Sequence, residues 1–493
     1  MPLMPNTPHR RGAAAILCGL LLGLAACSGP AGPDTAARNA AGDVPVPAVE
    51  GPLTGGIRTG QPFATSLLPL ENGYVEEEFL ISGVARGHGP ATGSEADYVS
   101  RILVRRPQDP GAFNGTVVMH WNNVTSQQDV EAVWIEAAET IMRRGYIYVG
   151  VSAQKVGVDG SPLALAFWDP VRYPTVSHPG DDYAYDIFSQ ATQAVRRVPL
   201  VLGEATQARI DVLLASGSSQ SGAFLATYIN ELHDQTRLFD GYLPIMLGDA
   251  MRDDVAPILA VNSQDEAGAS FTQPLTQPDS GQFRHWEIAG PAHLTHFGGL
   301  YILAQSTYHY GSVAGQGQIN ALDPDSMREY GEQSLGGLCL YSNRFPRGHI
   351  WSAALVRLDE WVRGAPAPAT VARVERDATG RLVFDEHGNA VGGLRHPVVD
   401  VPIASYYAGH ETGPESPCSA GGNLPLFGTT QTFTYTKLAE LYPAQEDYLD
   451  ALDAAIRRAL VAGHLLDEHA SDLRRRARAT NLYGPLGGLV SPR

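Results

Sequence analysis

The chain has 493 residues, 52 acidic and 35 basic side chains, and a formal net charge of −17. With 44% hydrophobic and 18% charged residues it is neither disordered nor collagen-like, and its apolar mass suffices for a packed interior. The acidic balance excludes a nucleic-acid binder: lysine occurs only at Lys155 and Lys437, and no basic stripe is present to meet a phosphate backbone.

The first 26 residues read as an export signal. His9, Arg10 and Arg11 precede an apolar run from Gly12 to Ala26, too short and too rich in small residues for a comfortable membrane span. The run ends in Leu24-Ala25-Ala26-Cys27, a tetrad similar to the bacterial lipobox. Cys27 is therefore expected to carry lipid, making the protein an exported lipoprotein of the periplasm or cell surface. Residues 27–52, rich in Ala, Gly and Pro, are expected to be a flexible tether. Loss of Cys18 with the signal and acylation of Cys27 leave Cys339 and Cys418, an even pair expected to form a disulfide in an oxidising compartment.

Residues 53–493 read as one domain, with a C-terminal extension from about residue 365. Extended segments are predicted over 78–84 and 100–105. Gly115-Thr116-Val117-Val118-Met119-His120-Trp121 is a buried strand, followed by a helix with Val130, Val133, Trp134, Ala137, Ala138 and Ile141 at helical spacing. Strand 146–151, a looser segment to Pro179, a helix from Asp186 to Leu202 and strand 210–215 come next. Further strands are predicted at 242–247, 257–261 and 285–289. Apolar strands alternating with helices predict an α/β fold, its largely parallel sheet covered on both faces. Beyond it lie a helix over 353–362, a hairpin over 372–393 turning at Asp385–Asn389, and a long helix from Tyr448 to about Gly463. Trp168, Tyr173 and Trp351 are candidates for pocket wall or core.

Gly217-Ser218-Ser219-Gln220-Ser221 lies between the strand at 210–215 and a helix through Phe224, Leu225 and Tyr228. This is the small-x-Ser-x-small shape of the nucleophile elbow of α/β-hydrolases. A turn that strained needs small residues two before and two after the nucleophile, here Gly217 and Ser221. Ser219 is the candidate nucleophile, and Ser221 fits less well. A helix start offers free N–H groups to a developing anion, so the Gln220 backbone N–H is one oxyanion donor. The other falls to the backbone N–H of Asn123 or Val124, in the loop after strand 115–121.

Serine needs a base, and this fold orders its triad Ser, acid, His. His293, in the loop after strand 285–289, is the candidate base, with His296 the near alternative. The layout P-x-L-x-x-x-G-x-x-D, counted from Pro257, places Glu266 at the acid. Asp265 and Asp249 are the alternatives.

His120-Trp121-Asn122-Asn123-Val124, Val149-Gly150-Val151-Ser152-Ala153-Gln154, His178-Pro179-Gly180-Asp181 with Tyr185-Asp186-Ile187-Phe188, and Ser219-Gln220-Ser221-Gly222 form an ordered set. It continues with Trp286 to Gly290 through His293, Gly392-Gly393-Leu394-Arg395 with Val399-Asp400-Val401-Pro402, and Leu441-Tyr442-Pro443. In this set the chain resembles a family of bacterial exported α/β-hydrolase domain proteins, predicted esterases with poorly defined substrates. The resemblance spans about residues 55–480. It implies the α/β-hydrolase fold and hydrolase class, carries Ser219 and His293 across as catalytic residues, and puts an acid at Glu266, where the family more often has Asp. The expected activity is hydrolysis of a small-molecule carboxylic ester, with amide hydrolysis or ligand binding without turnover as rivals. Neither metal nor organic cofactor is expected.

Overall fold

The apolar runs of the sequence become neighbours in one ten-stranded sheet. The computed structural model describes residues 44–58, 60–268, 273–310, 342–409, 426–480 and 482. The signal segment, Cys27 and the proposed Cys339–Cys418 pair lie outside the described residues. Strands β1 (Ala48–Glu50), β2 (Tyr74–Arg86), β3 (Glu95–Pro107), β4 (Thr116–Trp121), β5 (Ile147–Val151), β6 (Val212–Ser218), β7 (Gly241–Ile245), β8 (Ile258–Asn262), β9 (Phe283–Ala289) and β10 (Leu394–Arg395) are ordered β1-β2-β3-β5-β4-β6-β7-β8-β9-β10. From β5 through β10 the neighbours are parallel, and β1, β2 and β3 join antiparallel at one edge. A separate pair, β11 (Ala404–Tyr407) and β12 (Thr429–Thr432), is antiparallel.

The helices used below are α1 (Ala132–Arg143), α2 (Ala184–Arg197), α3 (Gln220–Thr227), α4 (Gln264–Ala267), α5 (His296–Tyr310), α6 (Arg347–Val362), α7 (Gln445–Val461) and α8 (Asp467–Ala479). Alternate residues of each strand feed opposite layers, as the pleat requires. Val118 and Leu214 meet Trp134 and Ile141 of α1 and Trp351 and Leu355 of α6. Val117, Met119, Leu213 and Ala215 meet Ile187, Phe188 and Val195 of α2 and Leu225 of α3. Tyr448 and Leu452 of α7 and Leu473 of α8 belong to the first layer, so the C-terminal helices share its core.

Several expectations change. The tether predicted over 27–52 already belongs to the fold at Ala48–Glu50, which pairs with Ser82, Ile81 and Leu80 of β2. The helix expected over 186–202 stops at Arg197. Pro199 has no N–H to donate, so it opens a separate turn over Pro199–Leu202. The 372–393 hairpin is instead three isolated bridges, Val374↔Gly392, Arg376↔Leu382 and Phe384↔Ala390. Asp377 makes an additional turn by accepting the Thr379 N–H at 2.8 Å and the Arg381 N–H at 3.1 Å, so the chain reverses before it reaches Asp385. For Trp168, Tyr173 and Trp351, by contrast, the expected core reading holds: each is 1% exposed.

An ion-pair network that sequence pattern did not reveal ties β3 to the loop after β4. Arg101 pairs with Glu78 at 3.1 Å and Asp129 at 2.9 Å, all with side chains wholly buried. Arg105 reaches Glu76 and Glu131, each at 2.7 Å. Removing one partner of such a buried set leaves charges uncompensated, at about 3–5 kcal/mol. Arg101→Met is accordingly expected to lower the unfolding free energy by roughly that amount in urea titration. A loss below about 1 kcal/mol would mean the network contributes only what exposed pairs do.

Burial also pushes the imidazoles of His120, His309 and His396 down to about 3. The unfolded chain takes up these protons near pH 6.5. Because the folded values lie lower, the stabilisation is full above about pH 6.5 and is lost as pH falls toward the folded values. Three such groups remove roughly 3 kcal/mol between pH 6.5 and pH 5.5. The urea midpoint is expected to fall visibly between those two pH values; an unchanged midpoint refutes the assignment of neutral buried rings.

Candidate active site

β6 ends at Ser218 and α3 begins at Gln220, leaving Ser219 on the bend with φ 58° and ψ −121°. That backbone costs about 1–3 kcal/mol and persists only where its surroundings impose it. They do so here. The Ser219 N–H donates to the Ile245 carbonyl at 2.8 Å. A Cβ at Gly217 would lie 2.5 Å from the Ser221 carbonyl oxygen, so position 217 admits no side chain without a shift. Ser221 is wholly buried, and its hydroxyl both accepts the Ser218 N–H and donates to the Ser218 carbonyl, each at 3.0 Å. The second small residue therefore closes the elbow and is no rival nucleophile. Ser219 itself is partly exposed.

The acid candidates separate by geometry. Ser263 and Glu266 form a capping box at the start of α4: Ser263 donates its N–H at 2.9 Å and its hydroxyl at 2.5 Å to Glu266 Oε2. The other carboxylate oxygen, Oε1, lies 2.5 Å from His293 Nδ1. Burial alone would raise the Glu266 carboxyl, but the His293 imidazole and the hydrogen bonds from His293 and Ser263 outweigh it and hold it below its ordinary value. Asp265 does not meet the ring. It accepts the His293 backbone N–H at 2.5 Å and the Gly409 N–H at 2.7 Å. Burial and the adjacent Glu266 charge push its carboxyl up to about 7. Asp249 is exposed on the loop after β7 and takes no part in this pairing.

His293 follows β9 in a loop, its side chain 14% exposed. His296 opens α5, is buried, and turns Nδ1 to the Ser342 hydroxyl at 2.5 Å. Ser219, Glu266 and His293 follow the C-terminal ends of the parallel strands β6, β8 and β9, and so belong to the same end of the sheet.

Of the two candidates for the second oxyanion donor, Asn123 is overturned. Its backbone N–H already donates to the Val130 carbonyl at 3.0 Å in a short bridge. Its side chain does other work, donating from Nδ2 to the Ser218 carbonyl at 2.9 Å and joining the β4 loop to the elbow. Val124 remains. Gln220 is the first residue of α3, so its N–H has no intrahelical acceptor.

Two features escaped sequence reading. The capping box at Ser263–Glu266 was legible as Ser-x-x-Glu. Arg347 was not: it contacts the His293 carbonyl from 54 residues downstream, and nothing local marks it. Among the described residues no group of three or more His, Cys, Asp or Glu side chains is placed to hold a metal. Among them, too, no helix is long and apolar enough to cross a membrane.

A serine on a strand–helix bend, over a mostly parallel sheet with helices on both faces, defines an alpha/beta hydrolase. The chain belongs to the alpha/beta hydrolase domain family, which matches residues 49–475. No curated protein matches it. Among solved structures it is similar to the esterase Est22, at 11% identity and TM-score 0.26, over 40% of this chain and 66% of that one. The chain thus spans just under two thirds of the length of Est22. An a/b serine hydrolase without lid from Xanthomonas campestris is similar at 15% identity and TM-score 0.25, over 42% and 83% of the two chains. For Thermogutta terrifontis esterase 2 the values are 13%, 0.24, 42% and 82%.

Proposed function

We propose that this protein hydrolyses carboxylic esters through an acyl-enzyme on Ser219. The observation that carries the reading is the 2.5 Å pairing of His293 Nδ1 with the buried Glu266 carboxylate, at the end of the sheet that bears the strained serine. Glu266 orients the imidazole so that Nδ1 holds the proton and Nε2 acts as base. Ser219 attacks the ester carbonyl while His293 takes its proton and then delivers it to the leaving alcohol; water repeats the sequence to release the acid. General-base action supplies on the order of 10²–10⁴ in rate. The Gln220 and Val124 N–H groups receive the oxyanion, each contributing roughly 10²–10³.

The test is covalent labelling with a fluorophosphonate, followed by mass mapping. The adduct is expected on Ser219. An unlabelled chain, or an adduct on Ser221, overturns the reading. Labelling together with turnover of aryl anilides but not aryl esters would keep the nucleophile and move the substrate to amides. We further propose that the chain is exported and anchored through Cys27, on the strength of the basic and apolar segments before it. Incorporation of labelled palmitate that survives Cys27→Ser counts against that anchor.

A further inference from the structure

A base in a loop has neither a helix nor a strand to hold its backbone, and a misplacement of about 1 Å can cost on the order of 10²-fold in rate. His293 lies in such a loop. One short helix grips it from one side. Gln264 Oε1 accepts the Gly290 N–H at 2.7 Å, and its own N–H donates to the Pro291 carbonyl at 3.1 Å. Asp265 accepts the His293 N–H, and Glu266 meets the His293 ring. Three consecutive residues of α4 thus hold the loop and its imidazole.

The opposite side is held by Arg347, the first residue of α6. Its Nη1 donates to the His293 carbonyl, and its Nη2 donates to Glu136 Oε1 of α1 at 2.5 Å. The guanidinium lies over the Trp351 ring at 4.3 Å, and the residue is only 3% exposed. Its two-pronged geometry is therefore locked by an acid and an aromatic face before it reaches the histidine.

We propose that Asp265 and Arg347 are a pair of positioning residues that clamp the two peptide groups flanking His293, one by its N–H and one by its C=O, and so fix where the imidazole can reach. The proposal rests on reading Ser219, His293 and Glu266 as the triad. Neither residue touches the reacting atoms. Asp265 works through two acceptor oxygens, one taking the N–H of His293 and the other that of Gly409. Asparagine would turn an NH₂ toward one of them. Arg347 holds its two acceptors from two nitrogens of one rigid plane; lysine brings a single nitrogen on a flexible stem and does not reproduce that fork.

The experiment compares full-length Asp265→Asn, Arg347→Lys and Ser219→Ala with the parent, using p-nitrophenyl acetate turnover over pH and the rate of fluorophosphonate labelling. Asp265→Asn and Arg347→Lys are expected to lose about tenfold to a hundredfold in kcat and in labelling rate, with KM within about threefold and a displaced acid limb of kcat/KM. If both retain kcat within about threefold of the parent while Ser219→Ala is inactive, the clamp is refuted and the triad stands. If Ser219→Ala keeps parental turnover, the triad reading fails first. If both positioning variants lose their near-ultraviolet circular dichroism, the two residues serve folding and not the base, which also refutes the proposal.

Discussion

Ser219→Ala is expected to lower ester turnover by on the order of 10⁶ while leaving the unfolding midpoint near that of the parent. The catalytic loss follows from the nucleophile's position. Ser219 stands at a helix start, itself partly exposed, on a bend that Gly217, Ser221 and Ile245 impose. With the hydroxyl gone, the oxyanion donors and substrate binding remain, and these account for the residual rate. Stability is expected to change little, because alanine would suffer the same strain at φ 58° and no described hydrogen bond is made by the serine hydroxyl. Turnover that falls less than about a hundredfold would place the nucleophile elsewhere.

Glu266→Gln is expected to lower kcat on the order of 10⁴ with a much smaller change in KM. Glu266 Oε1 accepts from Nδ1, whereas a glutamine amide that turned its NH₂ there would favour the other tautomer, leaving Nε2 protonated toward the serine. Turning the amide the other way would set its NH₂ against the Ser263 N–H, which now donates to Oε2. Either arrangement loses something the carboxylate supplies. The parent carboxyl, held below its ordinary value by His293 and Ser263, stays ionised across the neutral range in which the base works. Kinetics at pH 7 under saturating ester decide the matter. A loss smaller than about tenfold, with a large loss in Asp265→Asn, would transfer the acid role one residue back.

How much of this site could be read from residues alone depends on how local each contact is. The elbow was legible because it is five residues long and its constraint is steric: small residues must flank a strained serine. The capping box was equally local. The choice among Glu266, Asp265 and Asp249 was not local, since adjacent side chains on one helical turn point about 100° apart. Only the fold shows which carboxylate meets a ring 27 residues away. Asn123 and Val124 were indistinguishable for the same reason: the Asn123 N–H is withdrawn by a bridge to Val130 that spacing does not announce.

The edge strand Ala48–Glu50 was read as tether because three residues between prolines carry no periodicity, and β2 supplies all of its order. Arg101 and Arg105, in a segment read simply as extended, became the centre of a buried charge network because acids from β2 and from the β4 loop converge on one side of β3. Arg347 offered nothing in its neighbourhood to connect it with His293.

What the amino-acid order determined by itself was the alternation of apolar strands and amphipathic helices, hence the parallel sheet, together with a serine that only a tight strand-to-helix bend accommodates. Both are short-range consequences of side-chain size and period. What the tertiary structure alone decided was which acid, which amide and which distant arginine serve the histidine. Those depend on the directions in which side chains from separate strand ends converge, and a linear spacing does not encode direction.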